Sequence, residues 1–193
     1  MDVIVSRTAE EASRACDLLA GAGVLGCDTE TSGLDPSVGR LLSIQFSDGV
    51  THVLIPISEG IGPGPFGELL ADSAVVKIFH NARFDLSFLG ASGIGVRNVF
   101  DTMLAEKVLT KGANQSVSLA ETLYRYFAID LDKSHRKKFG RGWNGEWTED
   151  LVRYALSDVA YLPRLMEEQS EWLRRLGLEK DYRDLAARSL SAL

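Results

Sequence analysis

Val24-Leu25-Gly26-Cys27-Asp28-Thr29-Glu30-Thr31 is an apolar strand pattern that ends in two acidic residues. Side chains alternate between the two faces of a strand, so Asp28 and Glu30 are expected on the same face. Two neighbouring carboxylates repel each other, and a cation between them removes that repulsion. The alternative interpretation is a polar strand end that runs into a turn at Gly33. This pair alone does not decide between the two.

Strand and helix patterns alternate in the first half of the chain, and the second half is mostly helical. Apolar runs bounded by turn residues predict strands at residues 3–5, 24–28, 41–46, 52–57 and 75–79. The turn signal Ser47-Asp48-Gly49 joins the third and fourth of these into an antiparallel hairpin. Helical spacing predicts helices that begin at Thr8 and that cover residues 66–71, 83–89, 102–110, 119–127 and 151–176. We therefore expect one α/β domain over residues 1–193, with a mixed sheet flanked by helices.

Local signals mark where several of these helices begin and end. Capping boxes, in which Glu follows Ser or Thr by three residues, occur at Thr8–Glu11 and at Ser118–Glu121. Asn81 is a favourable N-cap for the helix at 83–89. Pro163 lies inside the longest helical pattern, so we expect the helix to bend or break there.

The composition is that of an ordinary globular protein, with 45% hydrophobic and 25% charged residues among 193. No run approaches the roughly 18–20 apolar residues that a membrane span needs, and residues 1–7 lack a secretory signal pattern. These features predict a cytoplasmic protein without a membrane segment. The 27 acidic and 21 basic residues give a net charge of −6, whereas nucleic-acid binders are usually basic. An enzyme that holds metal ions with carboxylates is also acidic, so net charge does not separate these classes.

Two further acidic positions have settings in which functional sites occur. Asp85 follows the buried strand 75–79, and α/β proteins build sites at the carboxyl ends of strands. The alternative is an acid favoured near a helix N-terminus by the helix dipole. Tyr154 and Asp158 are four residues apart on one helix face, and a surface pair is the alternative. An acid beside a core-facing stripe needs a partner or a metal ion.

The run Gly62-Pro63-Gly64-Pro65-Phe66-Gly67 has the spacing of a dinucleotide-binding loop. Such loops present free backbone N–H groups to a pyrophosphate, and the two prolines have none. We interpret the run as a surface loop, which disfavours a nucleotide-dependent oxidoreductase. Cys16 and Cys27 match no zinc spacing.

The order Asp-x-Glu, Asn-x-x-x-Asp and Tyr-x-x-x-Asp resembles the three exonuclease motifs of the DEDD superfamily. The first motif matches over residues 28–34, the second at Asn81 and Asp85, and the third at Tyr154 and Asp158. The histidine branch of the superfamily would need a histidine five residues before the last aspartate, where this chain has arginine. The chain therefore resembles the tyrosine branch, which holds ribonuclease D and the proofreading domain of family A DNA polymerases.

This resemblance implies an RNase H-like fold and a 3′–5′ exonuclease that releases 5′-mononucleotides with two divalent cations, Mg²⁺ or Mn²⁺. The metal ligands that it implies are four carboxylates, those of Asp28, Glu30, Asp85 and Asp158. Tyr154 would complete the catalytic set by orienting the attacking water. The residues implied to bind the terminal nucleotides are Thr31, Leu34, His80, Asn81 and Phe84. His80 stands where related polymerase domains often carry glutamine, and its individual role is left open.

A cluster of basic residues precedes the Tyr154 helix and contains no acidic residue. Its members are Lys133, Arg136, Lys137, Lys138 and Arg141. We expect this basic loop to contact substrate phosphates, and a solvated loop is the alternative.

The sequence predicts single-stranded DNA or RNA 3′ ends as the substrate. Residues 101–105 and 131–134 resemble polymerase-associated exonucleases, which modestly favours DNA. A ribonuclease D-like or short-oligoribonucleotide exonuclease is the alternative, and a polymerase would be the partner of an excised proofreading domain. A non-catalytic nucleic-acid-binding module is the competing class. Such a module would be expected to lose metal ligands, and all five motif residues are present.

Overall fold

The computed structural model describes residues 2–57, 62–111, 113–131, 138–139 and 143–191. The strands within these residues are β1 (Asp2–Val5), β2 (Val24–Thr31), β3 (Leu41–Ser47), β4 (Thr51–Pro56), β5 (Val76–Phe79) and β6 (Val99–Asp101). The helices are α1 (Ala9–Leu19), α2 (Phe66–Ala71), α3 (Ala82–Ala91), α4 (Thr102–Thr110), α5 (Leu119–Phe127), α6 (Glu149–Ala160), α7 (Leu162–Arg175) and α8 (Glu179–Leu190). None of the described helices is both long enough and apolar enough to cross a membrane.

The strands form one mixed sheet in the order β1-β4-β3-β2-β5-β6. Strand β3 pairs antiparallel with β2 on one side and with β4 on the other, and the predicted hairpin joins β3 to β4. The pairs β1–β4, β2–β5 and β5–β6 are parallel. The predicted mixed α/β fold is therefore confirmed. Strand β2 runs to Thr31 rather than ending at residue 28, so both of its carboxylates lie within the strand.

Both faces of the sheet are covered, and this layering places α6 over β2. One face packs against α1, α2 and α3, and the other packs against α6 and the start of α7. A Cβ atom added at Gly26 would lie 2.6 Å from the backbone oxygen of Val159 in α6. Because glycine has no side chain, α6 can approach β2 closely at this point. Asp28 and Glu30 follow Gly26 at period two and so face the same helix.

The helix ends differ from the predictions at two positions. Thr8 and Glu11 form the predicted capping box. Ser118 occupies the N-cap position of α5, but its side chain caps nothing, so the prediction of a second capping box was wrong. Ser118 Oγ instead lies 3.2 Å from Ser116 Oγ. Asn81 lies at the N-cap of α3 with a φ of 72° and makes no capping bond through its side chain.

Pro163 breaks the predicted long helix into α6 and α7. Helix α6 ends at Ala160, and the proline lies in the first turn of α7, where its missing N–H costs no helical hydrogen bond. Strand β6 and helix α8 were not predicted. Helix α8 packs beside α4 and α7 in a small separate cluster that includes Leu173 and Leu178.

Candidate active site

A cavity of about 540 Å³ opens beside the end of β2 and is bordered by α3, α4, α5 and α6. Tyr154 lines it together with all nine residues predicted to bind metal or the terminal nucleotides, namely Asp28, Glu30, Thr31, Leu34, His80, Asn81, Phe84, Asp85 and Asp158. The structure therefore brings together three motifs that are far apart in the sequence.

Four carboxylates share this cavity and influence one another electrostatically. Burial raises the pKa of Asp28 well above its usual value, and the charges of Asp85, Asp158 and Glu30 raise it further. Burial also raises the pKa of Asp85 to about 7, although a hydrogen bond from Thr29 opposes the rise. Four acidic groups are thus close to one another, with Asp85 buried and the other three half-buried, and a bound cation would stabilise their charged forms.

The donor set fits a divalent cation. Hard ions such as Mg²⁺ prefer oxygen ligands, and four carboxylates supply them. Within the described part of the chain, no three acidic, histidine or cysteine side chains already stand in a ligating arrangement.

The Asp85 carboxylate is fixed by a neighbour on β2. Thr29 Oγ1 donates a hydrogen bond to Asp85 Oδ1 over 2.6 Å. The two side chains are buried, with exposed fractions of 5% and 2%. Sequence reasoning missed this role of Thr29, because a pattern within β2 does not show which helix its opposite face will meet.

Tyr154 lies on α6 one turn before Asp158, and both side chains line the cavity. The phenol ring is buried, and its centroid lies 6.1 Å from that of Phe139. Phe139 also contacts Trp143 and Trp147 through its ring. This aromatic packing holds the tyrosine ring in place beside the carboxylates.

Apolar side chains form the part of the wall expected to hold bases. Leu34 is 83% exposed at the cavity, which makes its side chain available to a stacked base. Phe84 lies in the first turn of α3 and packs against Phe88, with ring centroids 5.2 Å apart. Thr31 Oγ1 donates to the backbone oxygen of Gly33 and so fixes the turn that carries Leu34.

His80 forms part of the wall between β5 and α4. Its Nδ1 atom lies 2.9 Å from Thr102 Oγ1. Burial lowers the pKa of His80 to about 4, so the ring is neutral at neutral pH. A neutral ring adds no positive charge that would repel a metal ion bound by the carboxylates.

Asp101 caps the N-termini of both α3 and α4, and this double role was not predicted from the sequence. Its carboxylate accepts hydrogen bonds from four backbone N–H groups, those of Asn81, Ala82, Met103 and Leu104. The acceptor for the start of α3 therefore comes from β6 rather than from Asn81. An aspartate directly before a predicted helix signals a cap for α4, but nothing local signals the cap for α3.

Further lining residues come from segments that the motifs do not cover. They include Met103 of α4, the first turn of α5, Leu131 and Phe139. Of the predicted basic loop, Lys133, Arg136, Lys137 and Arg141 lie outside the described residues. Lys138 is described and exposed, and it is not among the residues that line the cavity.

Sequence comparison associates the chain with known nucleases. Residues 3–171 match a family model described as 3′–5′ exonuclease. Ribonuclease D of Nitrobacter hamburgensis is 33% identical over 164 residues, which cover 84% of this chain and 41% of that protein. DNA polymerase I of Aquifex aeolicus is 28% identical over 175 residues, or 90% of this chain and 28% of the polymerase. The chain thus spans less than half the length of these curated relatives.

The fold is also similar to that of a solved nuclease over nearly the whole length of both chains. NrnC of Brucella melitensis with bound Mg²⁺ has a TM-score of 0.81 and 28% identity, covering 98% of this chain and 92% of that chain. The same protein has been solved bound to pGG. The family match covers most of this chain and includes all three motifs. The chain therefore belongs to the 3′–5′ exonuclease family, whose members depend on divalent metal ions.

Proposed function

We propose that residues 1–193 form a single exonuclease domain that removes 5′-mononucleotides from the 3′ end of short single-stranded RNA. The observation that carries this proposal is the shared cavity, in which four carboxylates and a buried tyrosine face an apolar wall. Its volume of about 540 Å³ lies in the range of small-ligand pockets, roughly 300–1,000 Å³, and suits the 3′ end of an RNA strand.

RNA is proposed over DNA because of the relatives. Ribonuclease D recurs among the curated relatives. The Brucella protein, of nearly the same length, has been solved bound to pGG, which favours a short substrate. The preference for DNA suggested by residues 101–105 and 131–134 is unconfirmed. The polymerase I match concerns the same domain and keeps DNA as the second candidate substrate.

The metal sites are assigned by the position of each carboxylate in the motifs. Asp28, Glu30 and Asp158 would hold one Mg²⁺ or Mn²⁺ ion, and Asp28 with Asp85 would hold a second. When bound, the pair of cations would activate water and stabilise the attacking and leaving oxygens of the phosphodiester.

The remaining residues would orient the substrate and the water. Tyr154 would hydrogen-bond to the attacking water rather than remove its proton. A phenol ordinarily has a pKa of about 10, so it is a poor base at neutral pH. Leu34 and Phe84 would pack against the terminal bases, and such stacking accepts any base. Asn81, exposed at the start of α3, would contact the same nucleotides.

A non-catalytic binding module is the competing class, and the intact carboxylate set disfavours it. A cytoplasmic location and a polymerase partner stay predictions from the sequence.

Incubation with a 5′-labelled single-stranded RNA oligomer and Mg²⁺ should give a ladder of products that shorten by one nucleotide at a time. The reason is that the cavity admits a strand end and its metal ligands act at the terminal phosphodiester. Excess EDTA should abolish the ladder, and a DNA oligomer of the same sequence should be shortened more slowly. Full activity in EDTA, or one internal cut without a ladder, would contradict the proposed activity. Faster shortening of the DNA would contradict the choice of RNA.

Replacing Arg136, Lys137 and Lys138 by serine should weaken binding of every sequence about equally. The net charge of −6 repels a polyanion, so attraction must come from a local cluster. Each phosphate contact of a single strand contributes about −0.7 to the slope of log K against log salt, so three lost contacts flatten it by roughly 2. Binding would be measured by fluorescence anisotropy across a salt series.

A matched control removes the same charge from α8. Lys180, Arg183 and Arg188 are exposed, and their replacement by serine should leave the salt slope unchanged. Equal salt slopes for the basic-loop variant and the wild type would show that the substrate path lies elsewhere.

A further inference from the structure

Thr29 lies between the two carboxylates of β2, but its side chain is on the opposite face of the strand. Asp28 and Glu30 face α6, whereas Thr29 faces α3 and makes its hydrogen bond there. The 2.6 Å bond from Thr29 Oγ1 to Asp85 Oδ1 joins residues 56 positions apart in the chain. Both partners are almost fully buried, so water does not compete for the bond.

The bond restricts the Asp85 carboxylate. One carboxylate oxygen is held against β2, and the carboxylate remains part of the cavity wall. Residues that hydrogen-bond to a metal ligand set its orientation and its basicity. We propose that Thr29 is a positioning residue, which orients Asp85 to bind its metal ion; this inference rests on the proposed function.

Strand β2 would then set the position of three of the four carboxylates. Asp28 and Glu30 are attached to it directly, and Asp85 is tied to it through the Thr29 hydroxyl. The first turn of α3 carries Asp85, and its backbone start is fixed separately by Asp101. The helix therefore has its own anchor, so removing the Thr29 hydroxyl should free the carboxylate without displacing α3.

The test compares Thr29→Val, which keeps the shape of the side chain, with Thr29→Ser, which keeps the hydroxyl. Binding of Mn²⁺ to the protein without substrate would be measured by calorimetry and by electron paramagnetic resonance. Thr29→Val should weaken Mn²⁺ binding by about 10- to 100-fold and raise the Mg²⁺ concentration for half-maximal turnover by a similar factor. Thr29→Ser should stay within about threefold of the wild type.

Thr110→Val provides a matched control, because Thr110 Oγ1 donates to the backbone oxygen of Glu106 within α4, away from this cavity. This variant should bind Mn²⁺ like the wild type. Unchanged Mn²⁺ affinity in Thr29→Val would overturn the inference while leaving the proposed function intact. Equal losses in the valine and serine variants would also overturn it, because shape rather than the hydroxyl would then matter. A wild-type protein that binds no Mn²⁺ and degrades no RNA would overturn both the inference and the proposed function.

Discussion

Asp28→Ala and Asp158→Ala are each expected to lower the turnover of the exonuclease by more than about 1,000-fold. Loss of one positioned group that stabilises charge in the transition state costs about 100- to 1,000-fold, and loss of a metal ligand removes more than one such interaction. Asp28 is proposed to serve both ions, and Asp158 reaches the same cavity from α6. Initial rates on 5′-labelled RNA at saturating Mg²⁺ would measure the loss.

Tyr154→Phe should be less damaging and leave a measurable rate. The variant removes one hydroxyl that positions water and keeps the ring packed against Phe139. Losing one positioning hydrogen bond costs about 2–4 kcal/mol of barrier, or roughly 30- to 1,000-fold in rate. A Tyr154→Phe protein as inactive as Asp158→Ala would contradict this division of roles.

Thermal unfolding in EDTA shows whether a variant at Asp28 is inactive because it lacks a metal ligand or because its fold is damaged. Burial and three neighbouring carboxylates raise the pKa of Asp28 in the folded protein. The charged form of Asp28 is therefore disfavoured on folding, and this cost is present at every pH above the pKa in the unfolded chain. Asp28→Asn removes the charge, so at neutral pH it should unfold at a higher temperature than the wild type while remaining inactive. A lower unfolding temperature would indicate a structural defect instead.

Each carboxylate has a recognisable local context that alone left an alternative open, and the order of the three motifs, with the resemblance it carries, predicted the set. Asp28 and Glu30 end an apolar strand, and Asp158 interrupts a helix that is otherwise core-facing. The break at Pro163 follows from the covalent structure of proline and was predicted for the same reason. Patterns of this kind depend on neighbours within a few residues.

Contacts between distant segments could not be predicted in this way. The hydroxyl of Thr29 reaches Asp85 only because β2 and α3 become neighbours. Helix α8 contains no buried residue, so its sequence carries only a weak apolar pattern. Its Tyr182 nevertheless accepts a hydrogen bond from the backbone N–H of Asp101, a contact between distant segments. The cap that Asn81 was expected to supply comes from residue 101, across the parallel pair β5–β6.

Asp101→Ala is expected to lower the free energy of unfolding by about 2–4 kcal/mol. An N-cap side chain contributes about 0.5–2 kcal/mol, and this carboxylate caps both α3 and α4. Its removal would leave four backbone N–H groups without their acceptor, of which those of Ala82 and Leu104 belong to buried residues. Urea unfolding followed by circular dichroism would measure the change.

Two companion variants test whether the double cap is the cause. Asp101→Asn keeps one acceptor oxygen, which can serve three of the four N–H groups, but its amide would face the N–H of Ala82. It should therefore lose less stability than Asp101→Ala. Asp72→Ala removes an exposed carboxylate that accepts one backbone hydrogen bond, from Ala74, and should cost less than about 1 kcal/mol. Equal losses in Asp101→Ala and Asp72→Ala would show that Asp101 does not anchor the start of α3, and the fixed position of Asp85 would then need another source.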